Sequence, residues 1–177
     1  NPDSLATMLP FAQFGVGVIQ AMPALLEAFR TGGGMSWATF GADLREAQSA
    51  QNRPAFLRLL GEEWFPAVRD LHARLLADPP ARVADVACGA GWSAIGIARA
   101  YPKVRVDGLD LDPPSIDLAR ANVAGAGLAD RVTMAVRDAA DPTLAGRYDL
   151  VTIFEALHDM SSPVEVLRAC PHLLVPE

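Results

Sequence analysis

Lysine is nearly missing from this chain: Lys103 is the only one among 15 basic residues, which face 21 acidic ones for a formal net charge of −6. That balance excludes a broadly basic surface built to grip a phosphate backbone. Cysteine is scarce as well. Cys88 and Cys170 stand apart, neither in a Cys-x-x-Cys pair, which argues against a disulfide framework and a structural zinc site. A reducing, cytoplasmic setting and no bound metal are expected. No basic stretch followed by an apolar core opens the chain, so no signal peptide is expected either. Charge is absent altogether from Ser4 to Leu26. That run is long enough for a bilayer, which takes ~20 residues. It also holds Pro10, Pro23, Gln13 and Gln20, whose polar and broken backbone groups lipid would leave unsatisfied. The expectation is a buried helix pair in a core or a dimer interface, with no membrane.

What is present is a globular composition: 177 residues, 51% hydrophobic and 20% charged, without repeats or low-complexity tracts. Three regions follow one another. Residues 1–34 form an apolar helical segment, closed by Thr31-Gly32-Gly33-Gly34 and suited to dimerisation. Residues 35–80 form a helical cap or lid region, closed by Asp78-Pro79-Pro80. It carries Trp37, Phe40, Trp64 and Phe65, which serve either as core or as the wall of a ligand pocket. From residue 81 strands and helices alternate, the pattern of an α/β fold: a Rossmann-like doubly wound parallel sheet with an N-terminal helical region. Four strands are expected, over 82–87, 104–110, 131–136 and 148–154. Helices are expected over 92–101, 113–124 and 163–174. The chain stops within this pattern and reads as an excerpt of a longer protein.

The first strand runs through Asp85 into Ala87-Cys88-Gly89-Ala90-Gly91 and then a helix. Glycines let such an elbow bend sharply and approach a ligand. Ligands of α/β sheets lie at the carboxyl ends of their strands. Gly89, Gly91 and Ala94 satisfy the G-x-G-x-x-G/A pattern of dinucleotide sites. Asp85, four residues before Gly89, and Trp92, directly after Gly91, oppose a pyrophosphate, which needs a small, neutral or positive cradle. A carboxylate suits a cationic ligand. Asp110 closes the second strand about 20 residues on, where an acid accepts from ribose hydroxyls. Asp138, after the third strand, either reads an adenine edge or is an ordinary turn acid.

Together these residues resemble the class I S-adenosylmethionine-dependent methyltransferases. The first motif of that family resembles Asp85 to Gly91, its second Gly108-Leu109-Asp110-Leu111-Asp112, its adenine motif Arg137-Asp138-Ala139, and its fourth Tyr148 to Glu155. The wider chain is similar to a bacterial subgroup with a winged-helix domain ahead of the methyltransferase domain, which would precede Asn1. The resemblance implies S-adenosylmethionine as cofactor. Asp85 and the backbone of Ala87, Cys88, Gly89 and Gly91 would face its methionine part. Asp110 would hold the ribose, Leu111 would contact the adenine, and Asp138 with Ala139 would close over the base. Phe154 and Glu155 would lie near the transferable methyl. Ala87 departs from the family, which often has glycine there.

Methyl transfer from a sulfonium expels a neutral leaving group, so alignment of the acceptor carries most of the acceleration. An oxygen or nitrogen acceptor also needs a base. His158 is the candidate, since an imidazole titrates near pH ~6.5; the competing reading is a loop or helix-end histidine. Asp112-Pro113-Pro114-Ser115 imitates the Asp-Pro-Pro-aromatic motif of base methyltransferases, but it follows the second strand and lacks the aromatic. A small-molecule acceptor, bordered by Trp37 and Phe40, is therefore expected instead of nucleic acid, along with a homodimer through the N-terminal helices. The competing functions are a non-catalytic S-adenosylmethionine-binding regulatory module and an NAD-dependent dehydrogenase.

Overall fold

The structure, a computed structural model, describes residues 1–176 and divides into two compact units, Asn1–Ala55 and Phe56–Glu177. In the first unit the apolar segment forms one helix, α1 (Leu9–Thr31), not the expected pair. Pro23 removes one backbone donor inside it. No second breaker follows until Gly32, whose left-handed φ of 72° ends the helix. Nor is α1 buried. Only Pro10, Gly17 and Ala21 are covered, while Leu9, Ile19 and Phe29 are exposed. By length and apolar character the helix is long enough to cross a bilayer. Its contact with α2 (Gly41–Leu59) runs through Gly17, where a Cβ would lie 2.7 Å from the Leu44 backbone nitrogen. Helix α2 passes through Pro54 without a break.

The second unit begins inside α2, away from residues 34 and 80, where the composition changes. The reason is packing. Phe56 on this helix, and Leu60, Phe65 and Leu75 after it, join the core on one face of the sheet. Burying each such side chain contributes about 1.5–3 kcal/mol, enough to tie the helical connection to the sheet. A π turn (Leu60–Trp64) follows α2, then α3 (Phe65–Ala67) and α4 (Arg69–Leu76).

The alternating pattern follows: β1 (Arg82–Val86), α5 (Trp92–Ala100), β2 (Arg105–Asp110), α6 (Pro113–Gly125), β3 (Val132–Val136), β4 (Leu150–Ile153) and α7 (Pro163–Leu173). Each lies within two residues of the expected bounds at both ends. The strands are all parallel in the order β3-β2-β1-β4. Asp112 caps α6, its Oδ2 accepting from the Ser115 backbone N–H at 3.0 Å, with prolines in the first turn. Side chains alternate between the two faces, as the pleat requires. Val83 and Val106 enter the core that holds Phe56 and Ile95, while Ala84, Val86 and Leu109 enter a second core with Tyr148 and Leu173.

Candidate active site

The carboxyl edge of the sheet is shaped by backbone. After β1 the chain turns through Ala87 (φ 55°), Gly89 (φ 53°) and Gly91 (φ 78°), three left-handed residues within five. At Gly89 the space a Cβ would occupy is open, with nothing within 4 Å. At Gly91 a Cβ would meet Met134 Cε at 2.8 Å and Ala119 Cβ at 3.1 Å, so a side chain here would have to displace the end of Met134, and the left-handed φ favours glycine in any case. The elbow thus faces open space at Gly89 and presses on the molecule at Gly91.

Asp110 ends β2 beside the elbow. Its Oδ2 accepts from the Gly89 backbone N–H at 2.8 Å and its Oδ1 from the Asp112 N–H at 2.9 Å. Burial raises its pKa, against the pull of these two donors. A carboxylate has about four acceptor sites, so capacity remains for hydroxyl donors. Next to it Leu111 is 69% exposed. After β3, Asp138 is exposed and accepts from the Ala140 N–H at 2.8 Å, while Ala139 is buried. Asp138 is thereby a turn acid in its contacts, with its side chain at the surface.

Asp85 behaves differently. It shares β1 parity with Val83 and points inward, beneath the elbow, with 1% exposure. In register with it are Gly108 on β2 and Thr152 on β4. Thr152 Oγ1 donates to its Oδ1 at 2.9 Å, and Ser93 Oγ, from the first turn of α5, donates to Oδ2. Burial pushes its pKa up to about 6; the two hydroxyls oppose the shift and the negative Asp110 adds to it. The sequence reading set this carboxylate facing a ligand. In the structure it is enclosed and held by its own neighbours, so its geometry is that of a brace joining β1, β4 and α5. Ser93 and Thr152 escaped the sequence reading because they meet Asp85 only through the register of β4 and the start of α5.

Cys88 is buried too. Its Sγ lies 3.9 Å from Met134 Sδ, and burial with nearby negative Asp85 and Asp110 pushes the thiol well above its usual pKa. It contributes backbone to the elbow and no nucleophile. At β4, Phe154 follows the last strand residue, and Glu155 is exposed with a left-handed φ of 51°. A non-glycine residue in that region is strained, and such positions cluster at functional sites. The Phe154 ring packs on Phe56 (5.5 Å between centroids), Trp64 (6.2 Å) and Phe65 (6.3 Å). His158 stands in a 3-10 turn (Leu157–Asp159) beyond β4, largely exposed, with Nε2 3.6 Å from Asp159 Oδ2. Trp37 and Phe40 belong to the first unit, their rings 5.8 Å apart. Among the described residues no group of three or more His, Cys, Asp or Glu is placed to hold a metal.

The open elbow at Gly89 and Asp110, fixed with acceptor capacity left over, leave room and acceptors for a nucleoside whose hydroxyls donate. A family model described as a methyltransferase domain matches residues 83–177, more than half of the chain. A ubiquinone biosynthesis O-methyltransferase from Marinobacter nauticus is 34% identical over 97 residues, 54% of this chain and 40% of that protein. A tRNA1(Val) (adenine(37)-N6)-methyltransferase from Porphyromonas gingivalis is 34% identical over 77 residues, 41% of this chain and 30% of that protein. The chain thus spans less than half the length of these curated relatives. In fold it is similar to an O-methyltransferase family protein from Burkholderia thailandensis, with a TM-score of 0.71 and 20% identity over 94% of this chain and 50% of that one. The matched segment contains the elbow, Asp110 and the end of β4 together, and the chain belongs to the class I S-adenosylmethionine-dependent methyltransferase family.

Proposed function

We propose that this protein transfers a methyl group from S-adenosylmethionine to a small-molecule acceptor at the carboxyl edge of the sheet. The observation that carries the reading is the coupling of Gly89 to Asp110: the same 2.8 Å bond that fixes the acid also fixes the elbow. A nucleoside bound there meets both at once. Bound S-adenosylmethionine supplies a methyl group on a positive sulfur. The chain's part is to hold the acceptor in line and to take its proton where it has one.

Asp110 holds the ribose hydroxyls, Leu111 covers the adenine, and Asp138 with Ala139 borders the base. The Ala87–Gly91 backbone follows the methionine part. Asp85 acts on it through the fold, by fixing β1 against β4 and α5. Glu155 and Phe154 border the acceptor, and His158 is the candidate base. It is exposed, with Nε2 3.6 Å from Asp159 Oδ2. At the end of β4 the sequence Phe154-Glu155-Ala156-Leu157, without the Asp-Pro-Pro-aromatic pattern, supports a small-molecule acceptor over a nucleic-acid base, as does the net charge of −6. The O-methyltransferase relative points the same way. Two unpaired thiols support a cytoplasmic setting. The exposed apolar side chains of α1 support pairing of two copies through that helix. The winged helix of the resembling subgroup belongs to the same reading.

Titration calorimetry decides the cofactor. S-Adenosylhomocysteine should bind and NAD should not; binding of NAD alone overturns the reading in favour of a dehydrogenase. S-Adenosylhomocysteine formation in a panel of phenols, carboxylates and amines should then reveal turnover. Binding without product across that panel favours a regulatory module, and product only with transfer RNA moves the acceptor class. With an acceptor in hand, His158→Ala should lower kcat at least tenfold, a typical general-base contribution being 10²–10⁴-fold, and leave S-adenosylhomocysteine affinity unchanged.

A further inference from the structure

The turn after α2 does not follow the helical count. Phe56 and Leu60 are four residues apart and both buried. Continued at that spacing, the stripe would bury Trp64 and turn Phe65 outward. The structure does the reverse. The Phe65 backbone N–H donates to Leu60 O, five residues back, the bond of a π turn. The extra residue advances the buried stripe by one. Phe65 is 6% exposed and Trp64 39%. A large aromatic has been moved out of the core at the expense of regular helix geometry.

Its new position is specific. The indole keeps an edge-on contact with Phe56, 6.4 Å at 86°, and lies at 36° to the Phe154 ring. Phe154 directly follows β4, so Trp64 is set at the carboxyl edge, next to the strand that carries the elbow. The turn that presents it is firmly held. A Cβ on Gly61 would lie 2.4 Å from Ala100 Cβ, and one on Gly96 would lie 2.2 Å from Phe56 O. The start of the turn, at Gly61, and the end of α2 that leads into it, at Phe56, are therefore in close contact with α5. A half-exposed ring on a pinned support is pre-organised to stack, because little freedom is left to lose on contact.

We propose that Trp64 is a specificity-determining residue of the acceptor site, and that its indole stacks against a planar ring of the acceptor. The proposal rests on the methyltransferase reading above and adds to it one residue and one ligand class. A stacked aromatic pair contributes affinity beyond the apolar area it buries. With the apolar area of the ring included, its removal should cost about tenfold or more in affinity.

The test uses the whole protein saturated with S-adenosylhomocysteine, with catechol and 2,3-dihydroxynaphthalene as probes in calorimetry. Wild type should bind the bicyclic probe more tightly than catechol. Trp64→Phe should keep affinity within about threefold, and Trp64→Leu should lose at least about tenfold for the bicyclic probe. Thermal unfolding and S-adenosylhomocysteine affinity should be alike in all three, which separates a lost contact from a lost fold. Equal probe affinity in Trp64→Leu and wild type overturns the role of Trp64. Failure of both probes to bind the loaded wild type overturns the planar acceptor class. Failure of S-adenosylhomocysteine to bind wild type instead overturns the methyltransferase reading beneath it. Should Trp64→Leu prove unstable, Trp64→His supplies a smaller ring, and unchanged affinity there for the bicyclic probe likewise overturns the proposal.

Discussion

The two ends of the parallel sheet solve the same problem in opposite ways. At the amino end, side chains satisfy one another. Asp107 accepts from Arg82 at 2.9 Å, from the Tyr148 hydroxyl at 3.0 Å and from Thr133 at 2.6 Å, while Asp149 accepts from Arg74 and from the Arg82 backbone N–H. Burial, with Asp107 beside it, pushes the pKa of the Tyr148 hydroxyl up to about 12. At the carboxyl end, side chains stay open and backbone does the binding. Asp110 is held by two N–H groups, and four of the left-handed residues of the second unit, Ala87, Gly89, Gly91 and Glu155, gather there. The closed end ties strands together. The open end keeps hydrogen-bonding capacity in reserve. The difference shows how one sheet can be stable at one rim and receptive at the other.

Three measurements can break that contrast. The largest effect is expected at Asp85, which lies between the two ends. Its folded pKa of about 6 exceeds the ordinary value of 3.8, so the folded state holds the proton more tightly. Its stabilising contribution is complete below about pH 4 and is lost as pH rises through 6, about 3 kcal/mol in all. Urea unfolding of Asp85→Asn from pH 4 to 8 should lack this slope and match or exceed wild type above pH 7. An unchanged slope would show that the brace is not the titrating group.

Next in size is the closed rim. Asp107→Ala strands the Tyr148 hydroxyl and removes the Arg82 partner, at about 2 kcal/mol. S-Adenosylhomocysteine affinity should not move; a tenfold loss would mean that the two ends are not independent. The smallest effect is at the open rim. Ala87 bears a left-handed strain that glycine lacks, so Ala87→Gly should stabilise by about 0.5–1 kcal/mol, read as a higher urea midpoint. A lower midpoint would place the strain elsewhere.

Much of this contrast was legible in the sequence, and the limits have physical causes. The alternating half declared itself because each strand and helix there carries its own period and its own end, as at Asp112-Pro113-Pro114. The open rim declared itself because glycine pairs and strand-terminal acids are local in sequence. The brace was misread: Asp85 looks like a rim acid until parity and register turn it inward toward Ser93 and Thr152. The helical half was less legible. Pro23 read as a break, yet it does not stop its helix, and only packing of Phe56, Leu60 and Phe65 decides where the sheet's unit begins. The π turn leaves no mark in the pattern, because Trp64 and Phe65 are adjacent and equally suited to burial.

Beneath the elbow, one thioether touches two vacancies. Met134 stands 2.8 Å from the place of a Cβ on Gly91 and 2.4 Å from the place of one on Gly108, where Cys88 Sγ also comes within 3.0 Å. Volume at these positions is a shared quantity, so they are free to change in concert but not singly. A chain that shortened residue 134 and kept a small residue at 88 would tolerate alanine at 108. At 91 the backbone dihedral would still insist on glycine.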